Sequence, residues 1–360
     1  MKKARRPLLL ACAGIVSLAW CCAALALYTP RLTVSHATQN VGGSGPVTLR
    51  VSQSDQDDAT AKVTMYVPEA YPSKLNQAAG TQLGTVRERF VLKALGGGKV
   101  SESGTLKADN PAVYTTNAQL AADAKACTGT SVHTAVWIAS VTLNGQPLDL
   151  TLYVDQVTAP PETSFGVLKV QFCPRSPDLP LPLGSPSGAQ LIEASFTVNG
   201  VFKYPKLSGS YSFKTLFTPY LTGTGTVNQA GTVESQAIIA LPVQLTLGAK
   251  VATKGRVVLS GVLTTNLQGV GGAPIKLFAG PTRGNVKRIK MLRTNARGGY
   301  RVVVRVKRTT YFATRTTVLA RNLGSSNCTP TLTTVPCVSQ TLAPFSVRNR
   351  LIVKVVVRRR

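Results

Sequence analysis

Few residues of this 360-residue chain have side chains suited to acid–base or metal chemistry, since it contains only 14 carboxylates and two histidines. General acid–base catalysis and zinc binding depend on these residue types. A serine nucleophile elbow needs G-x-S-x-G, but Pro186 occupies the serine position between Gly184 and Gly188. The glycines at 96–98 precede Lys99 without the Ser or Thr of a phosphate-binding loop. The sequence therefore predicts no catalytic residue, no metal and no cofactor.

Scattered carboxylates in the N-terminal part of the chain leave one alternative open. An extracellular enzyme, or a protein that binds a small ligand or a carbohydrate, could have its site in residues 29–245. Two or more of these carboxylates in one concave pocket would favour such a site, whereas convex, solvated positions favour a non-catalytic protein. The five candidates are Asp109, Asp123, Asp149, Asp155 and Glu162.

The cysteines predict two disulfides. Three of the seven lie within the first 26 residues, which leaves an even four in the rest of the chain. Even numbers of cysteines are typical of disulfide-bonded exported proteins. Pairing each cysteine with its nearer partner predicts Cys127–Cys173 and Cys328–Cys337. By restricting the unfolded chain, these disulfides would stabilise the folded state by about 4 and about 2.5 kcal/mol, respectively. A zinc site is the competing interpretation, but no CxxC spacing occurs.

The N-terminus has the three parts of an export signal. Lys2, Lys3, Arg5 and Arg6 precede an apolar stretch that ends in Ala24-Leu25-Ala26, a small-x-small cleavage site. We therefore predict that residues 1–26 are a signal peptide and that the protein is secreted or held at the cell surface. The apolar residues 8–28 also approach the roughly 20 needed to span a bilayer, so an uncleaved membrane anchor is the alternative.

Charge divides the remaining chain into two parts. The whole chain carries 41 Lys and Arg against 14 Asp and Glu, a net charge of +27. Residues 27–245 are nearly balanced, with 15 basic and 14 acidic side chains, whereas residues 246–360 carry 22 basic and none acidic. Glu234 is the last carboxylate side chain. This change predicts a domain boundary near residue 245.

Short runs rich in Val, Thr and aromatic residues, separated by Gly, Pro, Asn and Ser, predict an all-β chain. Asn144-Gly145 and Asn199-Gly200 each have the composition of a type I′ hairpin turn. One short helix is predicted from Asn117 to Cys127, with Asn117 as its N-cap. We interpret His133, at the start of an apolar strand, as a half-buried structural residue. Residues 29–245 are thus expected to form one β-sandwich.

Residues 249–320 resemble bacterial Ig-like domains of the carboxypeptidase-regulatory-like type. The resemblance is carried by Arg256 to Leu263, by Gly271 to Ala279 and above all by Thr294 to Val304, in which a strand ends in Thr and a Gly-containing turn leads to Tyr300. It implies a second β-sandwich over residues 246–360 and a role as a spacer or adhesion unit rather than a catalyst. The whole chain is also similar to secreted proteins of high-GC Gram-positive bacteria, a likeness that implies export but no activity.

Alternation along two basic runs predicts a cationic surface on this second domain. In RVVVRVKR, from Arg301 to Arg308, the valines at even positions face one side of a strand, whereas Arg301, Arg305 and Lys307 face the other. The terminal run from Leu351 to Arg360 has the same pattern: Lys354 and Arg358 face one side, and the apolar side carries Leu351, Val353, Val355 and Val357. The predicted polyanion-binding residues are Arg301, Arg305, Lys307, Arg358, Arg359 and Arg360.

These patterns favour a non-catalytic exported protein of the cell surface, structural or adhesive, whose basic domain contacts anionic envelope polymers or the membrane surface. Few aromatic residues and no recognition helix accompany the basic residues, which disfavours nucleic acid as a partner. Charge that merely keeps the protein soluble is the competing interpretation. The sequence does not indicate an oligomeric state.

Overall fold

A computed structural model describes residues 28–356, apart from 144, 254, 267, 332, 333 and 350. The predicted export signal and Arg358, Arg359 and Arg360 lie outside the described residues. The described chain is built almost entirely from β-strands in several sheets, which confirms the predicted all-β, sandwich-type fold class.

The described residues form 23 strands: β1 (Arg31–His36), β2 (Val47–Ser52), β3 (Thr60–Val67), β4 (Gln82–Leu92), β5 (Gly98–Asp109), β6 (Ala135–Leu143), β7 (Gln146–Gln156), β8 (Leu168–Phe172), β9 (Ala189–Val198), β10 (Gly209–Pro219), β11 (Val233–Leu241), β12 (Val243–Leu245), β13 (Gly248–Thr253), β14 (Arg256–Thr265), β15 (Gln268–Gly269), β16 (Pro274–Gly280), β17 (Lys287–Arg293), β18 (Gly299–Arg305), β19 (Thr310–Val318), β20 (Arg321–Asn322), β21 (Cys337–Leu342), β22 (Phe345–Arg348) and β23 (Val353–Val355). The two α-helices are α1 (Val113–Thr116) and α2 (Ala118–Thr128). Single 3-10 turns occur at Lys93–Leu95, Glu162–Ser164, Pro186–Gly188, Gln229–Gly231 and Ser325–Asn327.

Local sequence signals account for several of these elements. The helix predicted from Asn117 is α2, and the Asn117 side chain accepts hydrogen bonds from the backbone N–H groups of Gln119 and Leu120. At Gly145 the chain turns β6 back on β7, with Leu143 opposite Gln146, as expected of a tight hairpin. The hairpin predicted at Asn199-Gly200 is wrong, because β9 pairs with β2 and β4 instead of with the strand that follows it.

A 13-stranded sheet, here called the large sheet, has the order β1-β2-β9-β4-β5-β6-β7-β8-β3-β10-β11-β21-β20. Its inner face encloses one apolar core, to which strands from both ends of the order contribute. Because the sheet curls, its first strand returns to the other end. The backbone N–H of Leu32 donates to Ser235 Oγ on β11, and Thr341 Oγ1 on β21 donates to the backbone oxygen of Leu32.

The strands β12 to β19, together with β22 and β23, form two five-stranded sheets, here called the C-terminal sandwich. β14 is the centre of one sheet, and β16 and β19 are the centre of the other. Val257 and Leu259 on β14 pack against Leu277 on β16 and Phe312 on β19, so a core lies between the two sheets. The Ig-like identity of this sandwich stays a prediction from its resemblance.

The chain passes between the large sheet and the C-terminal sandwich three times. It leaves β11 for β12 at Pro242, returns from β19 to β20 after Val318, and leaves β21 for β22 before Phe345. β21 pairs in parallel with β11, and Ser235 and Ser339 join the two strands through their hydroxyls at 2.7 Å. That the chain divides near residue 245 into two independently folding domains stays a prediction. The charge pattern did not indicate that β20 and β21, which follow this boundary in sequence, pair within the large sheet.

Candidate functional site

A cleft of about 1210 Å³ opens on the large sheet where neighbouring strands differ in length. β7 has 11 residues and β8 has five. Among the described residues, β7 pairs with β8 only from Tyr153 to Gln156, so its first seven residues have a partner on one side alone. The sheet separates there, and the gap extends to the inner face of β4, which contributes Glu88 and Phe90 to the lining.

The wall beside this gap is held by a disulfide. Cys127, at the end of α2, is bonded to Cys173, just after β8, with 5.8 Å between the Cα atoms. Both cysteines line the cleft. The second predicted disulfide, Cys328–Cys337, is also present, so both predicted pairings are confirmed and indicate an oxidising, extracellular environment.

Two of the five candidate carboxylates, Asp123 on α2 and Asp149 on β7, line this single cleft. Two candidate carboxylates in one concave cleft form the arrangement that favours a ligand or catalytic site in residues 29–245. Gln119 donates to Asp123 at 2.9 Å and orients that carboxylate along the helix. Lys62, Lys125 and Arg175 also line the cleft, so acidic and basic side chains are nearly balanced there.

The other three candidates lie in separate contacts. Asp109 accepts a hydrogen bond from the Tyr114 hydroxyl at 3.0 Å. Glu162 accepts from the Tyr66 hydroxyl at 2.6 Å and from Lys169 at 3.0 Å. Asp155 is 2.8 Å from His133 Nδ1 and also accepts a hydrogen bond from the backbone N–H of Thr134, so it holds that imidazole just before β6. These carboxylates tie strands and loops together and are outside the cleft lining.

Glu88 is the residue of the cleft that the sequence reasoning missed. Its side chain is 1% exposed, and Oε1 has no hydrogen-bond partner among the described residues. Burial, with a smaller contribution from the negative charge of Asp149, raises the pKa of Glu88 to about 8. The signal was present in the sequence, because Glu88 occupies the same alternating face of β4 as the buried Val86 and Phe90.

His36, at the end of β1, is a second buried polar residue. Its ring stacks on Tyr204 with centroids 4.1 Å apart and lies 5.4 Å from the ring of Tyr71. Neither ring nitrogen has a hydrogen-bond partner among the described residues. Burial therefore lowers the pKa of His36 to about 4. His36 packs against Tyr71 and Tyr204, which belong to the core of the large sheet.

The predicted cationic strand is placed as expected. On β18, Val302 is buried and Val304 half-buried, whereas Arg301 and Arg305 are exposed. Lys307, beyond the end of β18, is exposed as well. Binding by these basic residues stays a prediction. The terminal run differs from its prediction: Leu351 is 80% exposed, because β23 begins only at Val353 and the apolar alternation has no sheet to face before it.

A second group of basic residues crosses the other sheet of the C-terminal sandwich. Lys276 on β16 lies directly opposite Arg315 on β19, which lies directly opposite Arg348 on β22. We call these three residues the basic row. The Arg315 guanidinium also lies over the Phe278 ring, 5.4 Å from its centroid. The row was missed because its members are 39 and 33 positions apart in sequence, and only the pairing register brings them together.

Ion pairs among the described residues are confined to the first part of the chain. All those found lie between Arg50 and Glu193. No carboxylate side chain follows Glu234, so the basic row has no acidic neighbour from its own sandwich. Within the same described residues, no three His, Cys, Asp or Glu side chains are grouped in a way that could hold a metal ion.

No protein-family model matches this chain, and no curated protein matches it either. The assignment of function therefore rests on the geometry of the cleft and of the basic row. In the part of the chain that the structure describes, no helix combines the length and apolar character needed to cross a membrane.

Proposed function

We propose that this is an exported surface protein whose C-terminal sandwich binds an anionic polymer of the cell envelope along the basic row. The observation that carries the proposal is the register of Lys276, Arg315 and Arg348 on three successive strands. Neighbouring strands lie about 4.8 Å apart, so a linear chain of phosphates or uronates that crosses the strands meets one cation at each step.

Electrostatics supports an anionic partner for this row. Like charges directly opposite each other on neighbouring strands destabilise a sheet, and two exposed unit charges about 5 Å apart repel by about 0.8 kcal/mol in water. The C-terminal sandwich supplies no carboxylate to offset this repulsion. A bound polyanion would offset it from outside. Exposed charges are screened beyond about 8 Å in physiological salt, so the binding should weaken as salt rises.

The experiment compares two triple variants of equal charge change. Lys276, Arg315 and Arg348 are replaced by Gln in one, and Arg301, Arg305 and Lys307 are replaced by Gln in the matched control. Binding of the full chain to immobilised polyphosphate and to polygalacturonate is measured at several salt concentrations. We expect the row variant to bind about tenfold more weakly at low salt. The slope of log K against log salt concentration should become shallower by about two, because each of the three lost phosphate contacts removes about 0.7.

Three outcomes would contradict this assignment. Equal losses in both variants would mean that total charge, rather than the row, determines binding. A loss confined to the control variant would move the contact to β18. If the folded wild type binds neither polymer at low salt, the basic charge serves only to keep the protein soluble. Duplex DNA is measured in parallel, and affinity equal to that for the polymers would reduce the proposal to nonspecific polyanion binding.

A further inference from the structure

The cleft on the large sheet is lined by Glu88, whose buried Oε1 has no hydrogen-bond partner among the described residues. Glu88 lies on the inner face of β4 between Val86 and Phe90, both of which are buried in the core. Buried polar groups in proteins are nearly always hydrogen-bonded, and an exception calls for an explanation. Glu88 is such an exception, and it lines a cleft that is open to solvent. A bound molecule can therefore supply the missing partner.

The elements packed against β4 place few charges near Glu88. On β5 the residue directly opposite is Glu102, on β7 the nearby carboxylate is Asp149, and on β9 the residue opposite is the uncharged Ala194. The cations that share the cleft are Lys62 on β3, Lys125 on α2 and Arg175. Burial and the charge of Asp149, rather than these cations, account for the raised pKa of Glu88. Since burial and a negative neighbour both disfavour the charge, Glu88 is mostly protonated at neutral pH and presents an O–H donor.

Size and lining indicate the kind of molecule. The cleft, at about 1210 Å³, is larger than the roughly 300–1,000 Å³ that is usual for one small ligand, so it suits an extended molecule. Uncharged polar groups and aromatic rings line it, whereas its acidic and basic side chains nearly balance and select neither an anion nor a cation. The polar and aromatic lining residues include Gln119, Thr151, Ser185, Gln229, Tyr153 and Tyr220.

We propose that this cleft binds an uncharged oligosaccharide and that Glu88, at its inner wall, donates a hydrogen bond to a ring or hydroxyl oxygen of one sugar unit. Sugar hydroxyls both donate and accept hydrogen bonds, so they can partner Glu88 together with the amide and hydroxyl groups of the lining. The Cys127–Cys173 disulfide fixes α2 against the end of β8, and it presents this wall in a preformed arrangement. The site is separate from the basic row, and either can exist without the other.

The test uses six uncharged hexasaccharides: β-1,4-glucan, α-1,4-glucan, β-1,4-mannan, β-1,4-galactan, α-1,5-arabinan and the N-acetylglucosamine hexamer. Binding to the full chain is measured by calorimetry at pH 6 and at pH 9.5, with each sugar up to about 5 mM, which detects affinities in the millimolar range. We expect at least one sugar to bind at pH 6. We expect it to bind about tenfold or more weakly at pH 9.5, because the pKa of Glu88 is about 8 and the ionised carboxylate has no proton to donate.

Three variants assign this effect to Glu88. Glu88→Gln keeps an N–H donor of similar shape, so binding should persist and no longer depend on pH. Glu88→Leu removes the donor, and binding should fall about tenfold or more at both pH values. Glu102→Gln is the matched control, because Glu102 lies opposite Glu88 on the ladder but outside the cleft lining. Its binding should equal that of the wild type.

The proposal is overturned if the folded wild type binds none of the six sugars at pH 6. It is also overturned if Glu88→Leu binds as the wild type does, or if Glu102→Gln weakens binding as much as Glu88→Leu. Circular dichroism at both pH values verifies the fold of each protein. If Glu88→Leu does not fold, the pH profile of Glu88→Gln decides, since a decline equal to that of the wild type removes Glu88 from the site.

Discussion

Replacement of Glu88 by Gln should change how the stability of the protein depends on pH, even without a ligand. Burial raises the pKa of Glu88 from 4.5 to about 8 in the folded state. Between these values the folded state binds more protons than the unfolded state, so the free energy of unfolding falls as pH rises. The difference of about 3.5 pH units, at 1.36 kcal/mol each, corresponds to about 5 kcal/mol of stability that is present below pH 4.5 and lost above pH 8. Glu88→Gln has no proton to lose and should lack this decline.

Urea unfolding of both proteins, followed by far-ultraviolet circular dichroism from pH 5 to pH 9.5, measures this difference. Other groups titrate in the same range, but they do so in both proteins, so the difference between the two curves isolates Glu88. The variant should gain on the wild type by about 1.4 kcal/mol per pH unit across the window. Parallel curves would refute the reasoning, because they would mean that the Glu88 carboxyl is solvated or paired in the folded protein.

Two further predictions concern the core and the connection between the sheets. His36 has a folded-state pKa of about 4, below its ordinary value of 6.5, so the wild type should lose up to about 3 kcal/mol as pH falls through this window. His36→Phe, which keeps the stack on Tyr204, should lack that loss in urea unfolding at pH 7.5 and pH 4; an equal loss would show that His36 is not the cause. Residues 27–245 alone lack β21, so they should unfold at lower urea than the full chain and associate through the exposed edge of β11. An oxidised peptide of residues 320–344 should restore the stability of 27–245, and no effect of the peptide would contradict the pairing of β21 with β11.

The features predicted from sequence were those specified by neighbouring residues. Alternating apolar positions identify strands wherever one face is buried, and Asn117 marks the start of α2 because its side chain accepts from the first N–H groups of the helix. The two disulfides followed from an even number of cysteines and short separations. In these cases the physical cause lies within the segment or close to it.

The features that were not predicted depend on which strands pair over long distances. Asn199-Gly200 has hairpin composition, but β9 finds better partners in β2 and β4, and tertiary pairing overrides the local turn signal. The pairing of β21 with β11 joins residues about 100 positions apart. The cleft arises from unequal strand lengths around β8, which no local pattern encodes. The candidate carboxylates could therefore be named, but their meeting in one cleft could not be derived.

The three chain passages between the large sheet and the C-terminal sandwich have a geometric consequence. A single linker allows two bodies to swivel, whereas passages at Pro242, after Val318 and before Phe345 attach the sandwich at three points along the chain. Because β11, β21 and β20 are neighbouring strands, the three passages lie side by side, and together they prevent the free rotation that one linker would allow. If the basic row contacts an envelope polymer, these three connections restrict the orientation of the cleft relative to that polymer, whereas a single flexible linker would leave it free.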